Sequence, residues 1–220
     1  MSDSAIAVML KAPHPGEVKT RLCPPLTHLE AAELYRRFII DTFGNISPLG
    51  GVDIYAAYSP DGALPEISPY LPTGAGAFAQ KGDGLGRRLY NAFSELFSRG
   101  CKRAVIIGSD SPDIPVDYIE DGFRHLDDGA RLVLGPAMDG GYYLIGLDSL
   151  TEVPFTGIPW STDEVLKRTI DNAGRAQMKY RLLPRWHDID TPEDLQLLKD
   201  NPGCPRSAEF LASLKLPRIF

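Results

Sequence analysis

Two stretches of this chain combine cations, carboxylates and glycine in the way a phosphorylated ligand requires. The run Lys11–Leu22 places Lys11, Lys19 and Arg21 around Gly16, directly after the apolar run Ala5–Leu10. An ammonium offers phosphate a point charge, a guanidinium can grip two oxygens at once, and glycine permits a close approach or a positive φ. Ser109-Asp110-Ser111-Pro112-Asp113 follows a second apolar run, Arg103–Gly108. A carboxylate at such a strand end can hold Mg²⁺ or Mn²⁺, which bridges phosphates and stabilises a phosphate leaving group. Asp110 is the metal candidate here. Asp113 can be a second ligand, a helix N-cap or neither.

Three further segments carry polar groups with mixed readings. In His187-Asp188-Ile189-Asp190-Thr191-Pro192-Glu193-Asp194-Leu195, Thr191 and Pro192 start a helix, and the acids behind them suit its N-terminal dipole. Asp190, just before that cap, is the second metal candidate. Asp139, Gly140, Gly141 and Tyr142 can admit a ligand against the backbone, or form a tight turn beside core aromatics. Trp160, Ser161 and Thr162 put an aromatic and two hydroxyls at an expected helix start, where backbone N–H groups favour an anion. These two segments are assigned to the acceptor. A simple cap explains Ser161 equally well.

The elements that must position these residues alternate. Strand-like runs are Ala5–Leu10, Val52–Tyr58, Gly76–Gln80, Arg103–Gly108, Arg131–Pro136, Tyr142–Leu147 and Met178–Leu183. Helical spacing is expected over His28–Thr42, Leu85–Ser98, Val116–Leu126, Thr162–Ala173 and Pro192–Lys199. A short helix, Ala208–Leu214, closes the chain. Thr27 and Glu30 form a capping-box pattern. This order predicts one α/β domain over residues 1–220, Rossmann-like, with a mostly parallel sheet flanked by helices and a short C-terminal helix from about 207. No helix separates Arg131–Pro136 from Tyr142–Leu147, so one antiparallel strand is expected there.

Composition narrows the partners. The 220 residues carry a formal charge of −6, which argues against a non-specific nucleic-acid surface. Apolar runs are strand-sized, so no membrane span is expected. The N-terminus lacks a basic leader, and the three cysteines follow no pairing motif. A cytoplasmic protein with reduced thiols is the expectation. The first loop fits neither the Walker A nor the GxGxxG pattern, which weakens a P-loop or nicotinamide site.

Taken together, Lys11-x-Pro13-x-Pro15-Gly16-x-Val18-Lys19-Thr20-Arg21-Leu22, Ser109–Asp113, the run Leu134–Leu147 and Trp160-Ser161-Thr162 resemble the DUF2064 family. Its members are glycosyltransferase-A-like (GT-A) proteins grouped as proposed nucleotide-diphospho-sugar transferases. The resemblance runs from about Ile6 to about Leu198. Asp188–Leu195 also looks like the C-terminal motif of molybdenum-cofactor nucleotidyltransferases and phospholactate guanylyltransferases. The resemblance implies a GT-A domain binding a nucleotide and a divalent metal. Lys19 and Arg21 would meet phosphates, Gln80 would lie near the nucleotide, and Asp110 with Asp190 would hold Mg²⁺ or Mn²⁺. One departure stands out: Gly84 and Arg87 replace two acids that the family pattern carries. The expected activity is transfer from a nucleotide sugar or nucleoside triphosphate donor to a small acceptor. A non-catalytic nucleotide-binding module on the same fold is the alternative.

Overall fold

The computed structural model describes residues 2–214. Seven strands form one sheet in the order β3-β2-β1-β4-β6-β5-β7. They are β1 (Ser4–Lys11), β2 (Val52–Ser59), β3 (Gly76–Ala79), β4 (Arg103–Gly108), β5 (Leu132–Pro136), β6 (Tyr142–Leu147) and β7 (Tyr180–Leu182). β6 runs antiparallel to both its neighbours, and the other pairings are parallel. The α-helices are α1 (His28–Ile46), α2 (Leu64–Ile67), α3 (Gly84–Ser98), α4 (Val116–Asp127), α5 (Val165–Arg175) and α6 (Pro205–Ser213). None of the described helices is long and apolar enough to cross a membrane.

Alternation along the central strands builds two cores. Ile6, Val8 and Leu10 of β1 face one side with Val105 and Ile107 of β4, against Leu34 and Phe38 of α1 and Phe123 of α4. Ala5 and Ala7, with Ala104 and Ile106, face the other side against Leu89, Phe93 and Leu96 of α3. A central strand covered on both faces has no polar position to spare, which is why β1 and β4 read as unbroken apolar runs.

The start of α1 follows its sequence. The Glu30 carboxylate accepts from the Thr27 N–H at 2.8 Å, and the Glu30 N–H donates to the Thr27 hydroxyl at 3.2 Å. Elsewhere the elements differ from the expected boundaries. Helix α5 begins at Val165, with Glu164 rather than Ser161 at its N-cap position. Ser161 instead has φ +66°, a left-handed backbone that cannot open a helix. The Pro192–Leu198 segment is a 3₁₀ helix. It opens with the Asp194 carboxylate accepting from the Thr191 N–H at 2.7 Å and the Asp190 N–H at 3.0 Å. β7 is only three residues long, and α6 begins at Pro205.

Chain order reverses between β1 and β4. From β1 the chain builds outward through β2 and β3, and from β4 it builds the other way. Loops leaving the C-terminal ends of these two strands therefore part to opposite sides, and a crevice forms between them. Because β5 is parallel to β4 and β6 returns antiparallel, the turn joining β5 to β6 lies on the same edge.

Candidate functional site

A cleft of about 980 Å³ opens at that edge. Its wall draws on every expected segment. Lys11, Lys19 and Arg21 come from the loop after β1, Gln80 follows β3, and Asp110 follows β4. Asp139, Gly141 and Tyr142 come from the β5–β6 turn, Trp160, Ser161 and Thr162 precede α5, and Asp190 comes from the C-terminal segment. Gly16 and Gly140 stand apart from the cleft wall. Gly16 serves its own turn with φ +83°. At Gly140 a Cβ would come 2.3 Å from the Asp163 carbonyl oxygen, so its missing side chain admits a neighbouring backbone, not a ligand. The Gly140 carbonyl then accepts from the Leu166 N–H at 2.9 Å, tying the turn to α5.

At one end of the cleft the two metal candidates meet. The Ile189 N–H donates to the Asp110 carbonyl at 2.9 Å, pinning the C-terminal segment to the loop after β4. The Ser111 hydroxyl adds a hydrogen bond to Asp188 at 2.6 Å. These two links bring Asp110 and Asp190 to one point, and the Lys19 ammonium occupies it. Lys19 Nζ lies 2.6 Å from Asp110 Oδ1, 2.8 Å from Asp190 Oδ1 and 2.7 Å from the Ile189 carbonyl oxygen. It donates hydrogen bonds to Asp190 and Ile189 and is ion-paired with Asp110, and its side chain is only 4% exposed. Burial alone would push its pKa down, but the attraction of Asp110 and Asp190 is larger, and the pKa rises. The Lys19 backbone is left-handed at φ +48°, which costs a non-glycine residue about 1–2 kcal/mol. Lys19 therefore faces carboxylates here, whereas the family resemblance implies phosphate.

The donor set suits a hard divalent cation. Two carboxylates and a carbonyl oxygen already converge on one positive charge, and Mg²⁺ commonly takes one or two carboxylates with the remaining positions left to water and phosphate. Asp113 plays no part in this. Its buried carboxylate accepts from Trp186 Nε1, His187 Nε2 and Asn201 Nδ2 at 3.1, 3.0 and 2.8 Å. It is neither a metal ligand nor a helix cap, and His187 packs against it.

Sequence reasoning passed over other groups on the cleft wall. Arg88, one turn into α3, lines the cleft and donates to the Gly82 carbonyl at 3.1 Å. The Tyr35 hydroxyl, fully enclosed, hydrogen-bonds to the Ser109 hydroxyl at 2.6 Å and accepts from the Lys11 N–H, so it braces both loops from beneath. Burial raises Asp188 to about 6 against the Ser111 hydrogen bond. Arg88 was readable as a helix-start cation, but Tyr35 looked like any aromatic on a helix face.

Gln80 has a settled orientation. Its Nε2 donates to the carbonyls of Leu10 and Ala57 at 3.1 and 2.8 Å, which identifies that atom as the nitrogen and leaves Oε1 as the acceptor. Opposite, the Trp160 indole sits on Gly86, where a Cβ would come within 2.6 Å of it, and meets Tyr142 edge to face at 6.4 Å. Trp160 divides the cleft from a smaller hollow of about 240 Å³ lined by Arg87, Tyr90 and Glu152. The two family departures both border the smaller hollow. Gly84 lines the cleft as well, whereas Arg87 lines only the hollow, paired with Glu152 at 3.2 Å.

Residues 43–162 match the sequence profile of a family described as an uncharacterized protein conserved in bacteria, DUF2064. The crystal structure of a proposed nucleotide-diphospho-sugar transferase from Desulfovibrio desulfuricans G20 superposes with a TM-score of 0.86 at 35% identity, covering 96% of this chain and 95% of that one. The chain belongs to the DUF2064 family. No curated protein matches it. Among more distant structures, CMP:2-keto-3-deoxy-manno-octonic acid synthetase complexed with CTP superposes with a TM-score of 0.57 at 12% identity, covering 89% of this chain and 96% of that one. A Mycobacterium tuberculosis H37Rv protein in complex with manganese superposes with a TM-score of 0.53 at 14% identity, covering 88% and 97%. At these identities the likeness is one of fold. This DUF2064 chain thus has the mixed, mostly parallel sheet of the nucleotide-sugar transferases.

Proposed function

We propose that this DUF2064 protein is a divalent-metal-dependent transferase that takes a nucleoside triphosphate or nucleotide sugar as donor and passes a nucleotidyl or glycosyl group to a small acceptor. One observation carries the reading. Asp110, from the loop after β4, and Asp190, from the C-terminal segment, converge with the Ile189 carbonyl on a single cation position inside the cleft at the β1/β4 crevice. Mg²⁺ or Mn²⁺ held by Asp110 and Asp190 would neutralise phosphate charge as the donor bond breaks. Lys11, Arg21 and Arg88 on the same wall would hold the remaining phosphate oxygens, where a fixed positive charge counts most as the leaving group gains negative charge. Gln80 Oε1 would accept from the base. Asp139, Gly141, Tyr142, Trp160, Ser161 and Thr162 line the facing wall and are assigned to the acceptor. The manganese and CTP complexes of its fold neighbours support this choice of ligands.

The test is a melting-temperature panel of nucleoside triphosphates and nucleotide sugars with Mg²⁺, Mn²⁺ or EDTA. A ligand present at a hundredfold excess over its Kd should add about 2.7 kcal/mol of stability. A rise that EDTA abolishes is expected for one donor class. A triphosphate response would assign nucleotidyl transfer, and a nucleotide-sugar response glycosyl transfer. Binding without turnover over a full acceptor panel would favour the non-catalytic module. No metal-dependent rise with any donor would overturn the proposal.

A further inference from the structure

We infer that Lys19 is an internal counter-cation that competes with the divalent metal for Asp110 and Asp190, so that metal loading requires its ammonium to leave. The inference rests on the metal reading above and adds a second role to the residue. The position is built for the ammonium. The ammonium donates to the Asp190 carboxylate and the Ile189 carbonyl, is ion-paired with Asp110 at 2.6 Å, and has the Phe38 ring 5.4 Å from it. Charge accounting then makes the two occupants exclusive. Two carboxylates with the ammonium sum to −1, with a dication to zero, and with both to +1. A dication on the same two carboxylates would meet the ammonium at close range, where a partly buried cleft screens it poorly. Asp188 and Asp139 also line the cleft, and the Ser111 hydroxyl donates to Asp188, but neither carboxylate is among the contacts of the Lys19 ammonium. A donor's phosphates change this balance, because they bring negative charge that can take over the released ammonium. Metal alone should therefore bind weakly, and metal with nucleotide tightly.

Mn²⁺ titration of the full chain, followed by electron paramagnetic resonance without nucleotide, tests this. Lys19→Met keeps the length and removes the charge. It should tighten Mn²⁺ binding by about tenfold or more, a change of one decade in Kd. Lys19→Arg should stay near wild type. Unchanged or weaker Mn²⁺ binding in Lys19→Met overturns the competition. Asp110→Asn in the Lys19→Met background separates the two claims. If it abolishes the bound Mn²⁺, the metal reading stands whatever Lys19 does, and if it does not, both fall together. Wild-type protein gives an independent readout should the variant misfold. Acylation of Lys19 by an N-hydroxysuccinimide ester, followed by mass spectrometry, should be slow without metal and at least several-fold faster with saturating Mn²⁺. Equal labelling in both conditions would also overturn the inference.

Discussion

The Asp113 carboxylate accepts from Trp186, His187 and Asn201 and is almost wholly buried. Removing a partner from such a group leaves a desolvated charge, so the trio behaves as one unit. Its charge state follows from the two titrating members. The hydrogen bond to Asp113 raises His187 above 6.5, outweighing burial. Burial raises Asp113, but the hydrogen bond and charge of His187, together with the hydrogen bonds from Trp186 and Asn201, more than reverse this and hold it below 3.8. A raised histidine contributes its stability below 6.5 and loses it as pH climbs through the folded value. A lowered aspartate contributes above 3.8 and loses it as pH falls through the folded value. Both contributions are full only between 3.8 and 6.5. Urea midpoints measured across this range and above should fall on the alkaline side in wild type and stay flatter there in His187→Gln. An equal alkaline decline in the variant would remove this pair from the pH response. The candidate ligands Asp110 and Asp190 were legible as strand-end and cap-flanking acids, and the resemblance paired them. The Lys19 contact was not legible, because its partner lies 171 residues away and no local spacing encodes it.

Helix α6 docks on α1 through a cap borrowed across the fold. The buried Asp41 carboxylate accepts from the Arg206 N–H, the Ser207 N–H and the Ser207 hydroxyl at 3.1, 2.8 and 2.6 Å. Pro205 opens this helix and Cys204 cannot cap it, so a residue of another helix satisfies its exposed donors. Asn45, one turn further along α1, donates to the carbonyls of Pro112 and Gly203. Asp41→Ala should therefore cost about 2 kcal/mol, or about 4–8 °C in melting temperature for a chain of this size. A loss under 1 °C in calorimetry would mean that water replaces the carboxylate at no cost. Sequence patterns found β4 to the residue, because a doubly covered strand has an unbroken apolar signature. They placed the start of α5 too early. Ser161 and Thr162 look like caps in isolation, but Trp160 packs on Gly86 and the next residue, Ser161, turns left-handed, so the helix starts only at Val165.

At the scale of the whole molecule, the site is a consequence of strand order. The β1 and β4 loops part at the reversal point, the antiparallel β6 puts a turn on the same edge, and the segment after β7 returns to complete the cleft. Alternating strands and helices made the layered sheet readable, and the missing helix before β6 revealed its direction. The return of the C-terminal segment was readable only through the family resemblance, since it depends on backbone contacts such as Ile189 to Asp110. The central claim is that Asp110 and Asp190 hold one metal that carries the nucleotide. The most direct measurement is the Mn²⁺-dependent gain in affinity for the donor found in the nucleotide panel, compared across wild type, Asp110→Asn, Asp190→Asn and the double variant. One shared ion predicts that each single change removes most of the gain and that the double change removes little more. A gain that survives in either single variant would contradict the account.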